Sequence, residues 1–228
     1  MVFFFVEEPR PQFQRTMLGF AAGVMTAASV WSLLLPAIEQ SADFGVPGWL
    51  PAAAGLLLGV GFLSALDAVL PHLRRARDME LSRRQSTLLM AAITLHNVPE
   101  GMAVGLAFAL AAEGEGMAGA AALALGIGIQ NLPEGAAISL PLRQEGSSRG
   151  RAFLLGTLSG SVEPIFGILV VLVAAGVRPL MPWLLSFAAG AMLYVVVEEL
   201  VPQAHSKAGT CGFVGGFLIM MILDVALG

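Results

Sequence analysis

Seven apolar stretches, each about long enough to cross a bilayer, follow one another along this chain with short connections between them. They run roughly 17–38, 48–71, 86–110, 117–142, 151–175, 180–202 and 209–228. A hydrocarbon core needs ~20 apolar residues of helix to span it. Inside lipid every backbone N–H and C=O must be satisfied within the protein, so apolar segments of this length are helices. The pattern therefore predicts an all-α polytopic membrane protein with seven transmembrane helices. Composition agrees: charged residues are 12% of the chain, against about 25% in a soluble domain. No connection is long enough for a domain of its own, so residues 1–228 read as a single transmembrane domain. Residues 2–6 (VFFFV) are too short for a signal peptide or a span, and Glu7, Glu8 and Pro9 end that run. Cys211 is the only cysteine, which excludes a disulfide framework and a thiolate metal cage.

Two of the spans repeat one polar word, HNVPEG at 96–101 and QNLPEG at 130–135. Polar and ionisable groups at membrane depth are costly, and they mark function by default. In a helix His96 and Glu100 stand one turn apart on one face, with Asn97 bordering it. Gln130, Asn131 and Glu134 repeat that spacing. The two helices run in opposite directions and carry their words near their midpoints, so the polar faces can meet at one depth. A third carboxylate, Glu163, followed by Pro164, lies within the next span.

Two Glu with His, Gln and two Asn make an oxygen-rich donor set with one imidazole. Imidazole suits zinc, iron, nickel or copper, and carboxylate alone suits magnesium, calcium or manganese. The mixed set without thiolate points to a borderline divalent metal held loosely enough to leave. Glu100 and Glu134 could each touch two ions, which would make the site binuclear. Carboxylates gathered at low dielectric repel one another, so cation binding is expected to release protons. Pro99 and Pro133 lack the N–H that a helix interior needs, and each is expected to kink its helix. The carbonyls so freed, of Leu95 and Ile129, would face a cation or water, as in the broken-helix sites of transporters.

Competing readings of single residues are plainer. A buried His or Asn in a membrane helix commonly hydrogen-bonds a neighbouring helix. Asp67 and His72 near the end of the second span, and Glu198, Glu199 and His205 near the end of the sixth, are either an exit relay for an ion or groups reaching interfacial water. Asp224 reads as interfacial. Met25 and Ser32 read, by spacing alone, as packing residues, and so do the glycines of GVGFLSAL and GIGIQ.

Of the twelve Lys and Arg, all but Arg178 fall on one side of the seven-span arrangement, and the loop at 72–85 alone holds five arginines. The positive-inside rule places the N-terminus and the loops at 72–85, 143–150 and 203–208 in the cytoplasm. The loops near 39–47, 111–116 and 176–179 are then outside. Glu39, Asp43, Glu113 and Glu115 make the first two of these acidic, which would either concentrate cations at an entrance or simply be solvated. The expected location is the cell (inner) membrane.

At these residues the chain resembles the ZIP (Zrt/Irt-like) family of divalent-metal transporters, and its bacterial GufA-like branch in particular. HNVPEG and QNLPEG look like the family's fourth- and fifth-helix signatures. GFAAGVMTAASVWSLLLP at 19–36 looks like its second helix, AVLPH at 68–72 the end of its third, and EELVP at 198–202 the end of its seventh. The resemblance runs from about residue 16 to the C-terminus. The family has eight helices, so it implies that the first is missing here apart from VFFFV. It further implies a ZIP-like bundle with a binuclear site: Met25, His96, Glu100, Gln130 and Glu134 around one ion, and Asn97, Glu100, Asn131, Glu134 and Glu163 around the other. Relatives often carry His or Asp where this chain has Gln130 and Asn131. Ser32 falls where many place His or Glu.

The leading functional reading is a transporter moving Zn²⁺, or Cd²⁺, Fe²⁺ or Mn²⁺, into the cytoplasm, and not an enzyme. Two other classes compete with it. An intramembrane metal-dependent hydrolase would need an open coordination position and a general base, and this chain has no HExxH motif. A non-transporting metal-binding remnant is the third. The expected partners are divalent ions, the lipid bilayer and a second copy in a homodimer, with no nucleic acid.

Overall fold

The computed structural model describes residues 11–74, 81–112, 116–144, 146–174, 176 and 178–227. Glu113 and Glu115 of the acidic loop, and Arg75 and Arg77 of the basic one, lie outside them. The described residues contain helices and no strand. They form α1 (Pro11–Phe44), α2 (Trp49–Arg74), α3 (Leu81–Ala111), α4 (Met117–Gln144), α5 (Arg149–Gly160), α6 (Val162–Ala174), α7 (Arg178–Ala204) and α8 (Lys207–Leu227). α5 and α6 together occupy the fifth expected span, so the seven runs match the seven apolar stretches.

α1, α3 and α7 overrun their apolar stretches at both ends. α3 has 31 residues, about 46 Å at 1.5 Å per residue, which exceeds a ~30 Å hydrocarbon core. α1, α2, α5–α6, α7 and α8 are each long and apolar enough, among the described residues, to cross a membrane. α3 and α4 carry the polar words, and their apolar stretches there are shorter, Asn97–Ala111 and Met117–Leu132. The chain is an all-α polytopic membrane protein.

α1 and α7 are the most buried of the five long apolar spans and form the centre of the bundle. α8 packs along α1, and α2 along α7. α3 packs against α6 and α4, and α5 against α4. The two groups join where α4 meets α1 and α3 meets α7. Outward faces are apolar: Leu57 and Leu58 on α2, Ile168 and Leu172 on α6, and Ile222 and Val225 on α8 are exposed. Lipid, unlike water, imposes no penalty on such a face.

Small residues decide the closest helix pairs. Gly19 and Gly23 on α1 lie against the α8 backbone at Gly209 and Phe213, while Gly212 and Gly216 on α8 lie against Thr16 and Phe20. Each pair is spaced four apart, the small-xxx-small pattern that lets membrane helices approach backbone to backbone. Gly101 and Gly105 do the same for α3 against Glu163 and Gly167 of α6. The packing reading of the glycine-rich words holds at Gly59, which meets Phe187, and at Gly126, which meets Met220. It fails at Gly61 and Gly128, where an added Cβ would meet nothing.

The irregular turns sit outside the two polar words. Pro99 lies buried within α3, whose helix continues through it. The fifth span, in contrast, is interrupted at Ser161, between α5 and α6. α1 widens to a π-helix at Ser29–Leu34 just before Pro36, and α7 at Val196–Leu200 just before Pro202. There the N–H of Leu35 reaches Val30 O, and that of Val201 reaches Val196 O. A proline has no N–H to offer, and a local π turn lets the neighbouring amides find carbonyls again.

Candidate metal centre

α3 presents Asn97 and Glu100 three residues apart, and α4 presents Gln130 and Asn131 at the matching place in its repeat. α6 contributes Glu163 from its first turn. Because α3 packs against both α4 and α6, residues from three helices converge. The side chains of His96, Pro133 and Glu134 lie outside the described residues, as does that of His72.

The converging groups form one hydrogen-bonded chain. Gln130 Nε2 donates to Glu100 Oε2 at 2.7 Å and to Asn131 Oδ1 at 2.9 Å. Asn131 Nδ2 donates to Glu163 Oε2. Two carboxylates from different helices are thus linked through two amides on the helix between them. Asn97 Nδ2 donates to the main-chain oxygen of Ser159 at 3.1 Å. Gln130, Glu100 and Asn97 are 0%, 1% and 3% exposed, so little water competes for these bonds. The amide orientations follow from the partners: a main-chain carbonyl only accepts, and so does an ionised carboxylate, so each amide must turn its nitrogen towards them.

That constraint turns oxygens the other way. Asn97 Oδ1, Gln130 Oε1 and Glu163 Oε1 are buried and accept no hydrogen bond. A buried acceptor without a donor costs about 1–3 kcal/mol, and each such atom in a native fold calls for an explanation. Two amide oxygens and one carboxylate oxygen without donors, on three helices of which α3 also carries Glu100, are the electrostatic complement of a hard or borderline cation. Among the described residues no three His, Cys, Asp or Glu side chains cluster; neutral amides make up much of the donor set. Glu163 also lines a cavity of about 460 Å³ between α3, α4 and α6, walled otherwise by apolar residues such as Phe108, Ile127 and Ile168.

The remaining candidates are placed as follows. Met25 is fully buried within α1 in the central core. At the end of the bundle that carries residues 203–208, the Tyr194 hydroxyl hydrogen-bonds with Asp67 and Ser64, with Glu198 in electrostatic range. Glu198 and Glu199 belong to the π-helical turn of α7; Glu198 is exposed and Glu199 half-buried. His205 is exposed, beyond the end of α7. The interfacial reading of Asp224 is corrected. It is 9% exposed and accepts a 2.6 Å hydrogen bond from Ser32 Oγ, with Oδ2 unpartnered. Ser32 is therefore a hydrogen-bond donor as well as a packing residue. The two are 192 residues apart in sequence, and no local periodicity signals such a pair.

A family profile described as "ZIP Zinc transporter" matches residues 71–224, which include every residue of the hydrogen-bonded chain. The chain belongs to the ZIP zinc-transporter family. Curated ZIP relatives are similar over nearly the whole length. It is 38% identical to zinc transporter ZIP11 of Xenopus tropicalis, covering 92% of this chain and 87% of that protein. It is 38% identical to zinc transporter GufA of Myxococcus xanthus, covering 92% and 86%. Identity to zinc transporter ZIPB of Bordetella bronchiseptica is 40%, over 94% of this chain and 72% of that protein. The GufA match supports placement in the GufA-like branch of the ZIP family. ZIP proteins carry the names of transporters, not of hydrolases, so the enzyme reading falls away.

Proposed function

We propose that this ZIP chain moves Zn²⁺, or a similar divalent ion, across the membrane into the cytoplasm through a binuclear site at the level of its two polar words. The observation that carries this reading is the set of buried oxygens of Asn97, Gln130 and Glu163 that accept no hydrogen bond, gathered with the Glu100 carboxylate where α3, α4 and α6 meet. The names of the ZIP relatives support zinc as cargo. His96, Glu100, Gln130, Glu134 and Met25 are assigned to one ion, and Asn97, Glu100, Asn131, Glu134 and Glu163 to the other. Neutral amides at Gln130 and Asn131 lower the negative charge of the site, which suits an ion that must leave again. The arginines of the 72–85 loop support the inward direction. Asp67 and Glu198, both near the Tyr194 hydroxyl at the end of the bundle assigned to the cytoplasm, are the groups we assign to receive a departing cation. Uptake by the purified chain in sealed liposomes, run for Zn²⁺, Cd²⁺, Mn²⁺, Fe²⁺ and Mg²⁺, tests the proposal. Saturable Zn²⁺ entry that Glu100→Gln abolishes is the expected result, and no entry of any of the five ions would reject it.

A further inference from the structure

The break in the fifth span lies two residues before Glu163, and Asn97 is bonded to the chain immediately before it. Ser159 is the last residue but one of α5, 4% exposed, and its carbonyl accepts from Asn97 Nδ2. The chain turns at Ser161, α6 begins at Val162, and Glu163 stands in its first turn. Gly101, one turn beyond Asn97 on α3, lies directly against the Glu163 backbone. α3 thus holds the backbone on both sides of the break, while Asn131 on α4 holds the Glu163 side chain. Pro164 has no N–H, so the helix cannot bond back to Gly160 from that position.

We propose that Asn97 is a positioning residue for Glu163: its amide nitrogen latches the carbonyl end of α5 to α3 and so sets where the Glu163 carboxylate stands, while its Oδ1 is left facing the ion. The inference rests on the metal-site reading above. It explains why an amide occupies position 97 and carries a consequence opposite to simple charge counting. An Asp at 97 would add negative charge next to a cation. It has no N–H for the Ser159 carbonyl, however, and would set a carboxylate oxygen against a carbonyl oxygen. The latch is lost and Glu163 shifts, so ion binding weakens. At position 131 the same change has the other sign, because the group bonded there is itself a carboxylate whose place beside Asn131 a cation can take.

The test uses the full chain in detergent, with zinc titrated calorimetrically and hydrogen–deuterium exchange followed without metal. For Asn97→Asp we expect zinc affinity at the weaker of two ions to fall about tenfold, the size of one lost buried hydrogen bond, with faster exchange in residues 157–166. Asn131→Asp is expected to bind zinc at least as tightly as the parent, with exchange at 157–166 unchanged. Asn97→Ser keeps a hydroxyl to donate and Asn97→Ala does not, so only the former should retain the parent's protection. That pair serves if Asn97→Asp does not fold. Zinc bound by Asn97→Asp as tightly as by the parent, or exchange unaltered in both Asn97→Asp and Asn97→Ala, overturns the latch. A parent chain that binds no zinc overturns the metal reading instead.

Discussion

Glu100 and Glu163 reach the same site from α3 and α6, and each accepts an amide N–H from α4. Removing one member of a buried charge set costs about 3–5 kcal/mol, so Glu100→Gln should weaken Zn²⁺ binding by at least about a hundredfold, read by calorimetry on folded protein. Parent-like binding would contradict the role given to this carboxylate. His96 supplies the imidazole, so His96→Ala should lower affinity for Zn²⁺ much more than for Mn²⁺; equal losses for both ions would remove it as the selective ligand. A different residue pair tests the fold. Ser32→Ala would leave the Asp224 carboxylate without its donor, and the expected loss of stability is about 1–3 kcal/mol. Unfolding of Ser32→Ala at the parent's denaturant midpoint would show that the bond contributes nothing. The residues that meet in the hydrogen-bonded chain were legible from sequence because a polar word inside an apolar run has few structural excuses, and two copies have fewer. The Ser32–Asp224 bond was not legible, since each residue alone fits an ordinary role and only the folded bundle brings α1 and α8 together there.

At the scale of helices, contact is governed by where a backbone can touch another backbone. Gly23 lies against the backbone at Phe213 and Phe217, whereas Gly61 faces open space. Gly23→Ala should therefore force α1 and α8 apart and lower the thermal midpoint in detergent. Gly61→Ala should leave that midpoint unchanged or raise it slightly, by restricting the unfolded chain. The reverse order would mean that the α1–α8 contact is not the close one described. The helices themselves were legible because lipid leaves helix as the form for apolar runs of this length. Their ends were not, since a membrane helix continues past the hydrocarbon into polar sequence without a hydropathy signal, as α1 does to Phe44. The irregular turns lie at prolines other than the two of the polar words. Pro99 sits within a continuing helix, while Pro36, Pro164 and Pro202 follow the two π-turns and the break at Ser161.

Across the whole molecule, all of the Lys and Arg except Arg178 fall at one end of the seven-span arrangement, and the proposed direction of flux depends on which end faces the cytoplasm. Asp43 and Gln203 are exposed at those two ends. With Cys211→Ser as background, an impermeant thiol reagent added to intact cells should label Asp43→Cys and spare Gln203→Cys; the opposite pattern would reverse the orientation. The central claim concerns the ions themselves. Crystals soaked in Cd²⁺ locate them by anomalous scattering. The account predicts two peaks a few Å apart where α3, α4 and α6 meet, one beside Glu100 and Gln130 and one beside Asn97, Asn131 and Glu163. A single peak there would contradict the binuclear arrangement, and peaks confined to the acidic group of Asp67 and Glu198 or to His205 would contradict the site altogether.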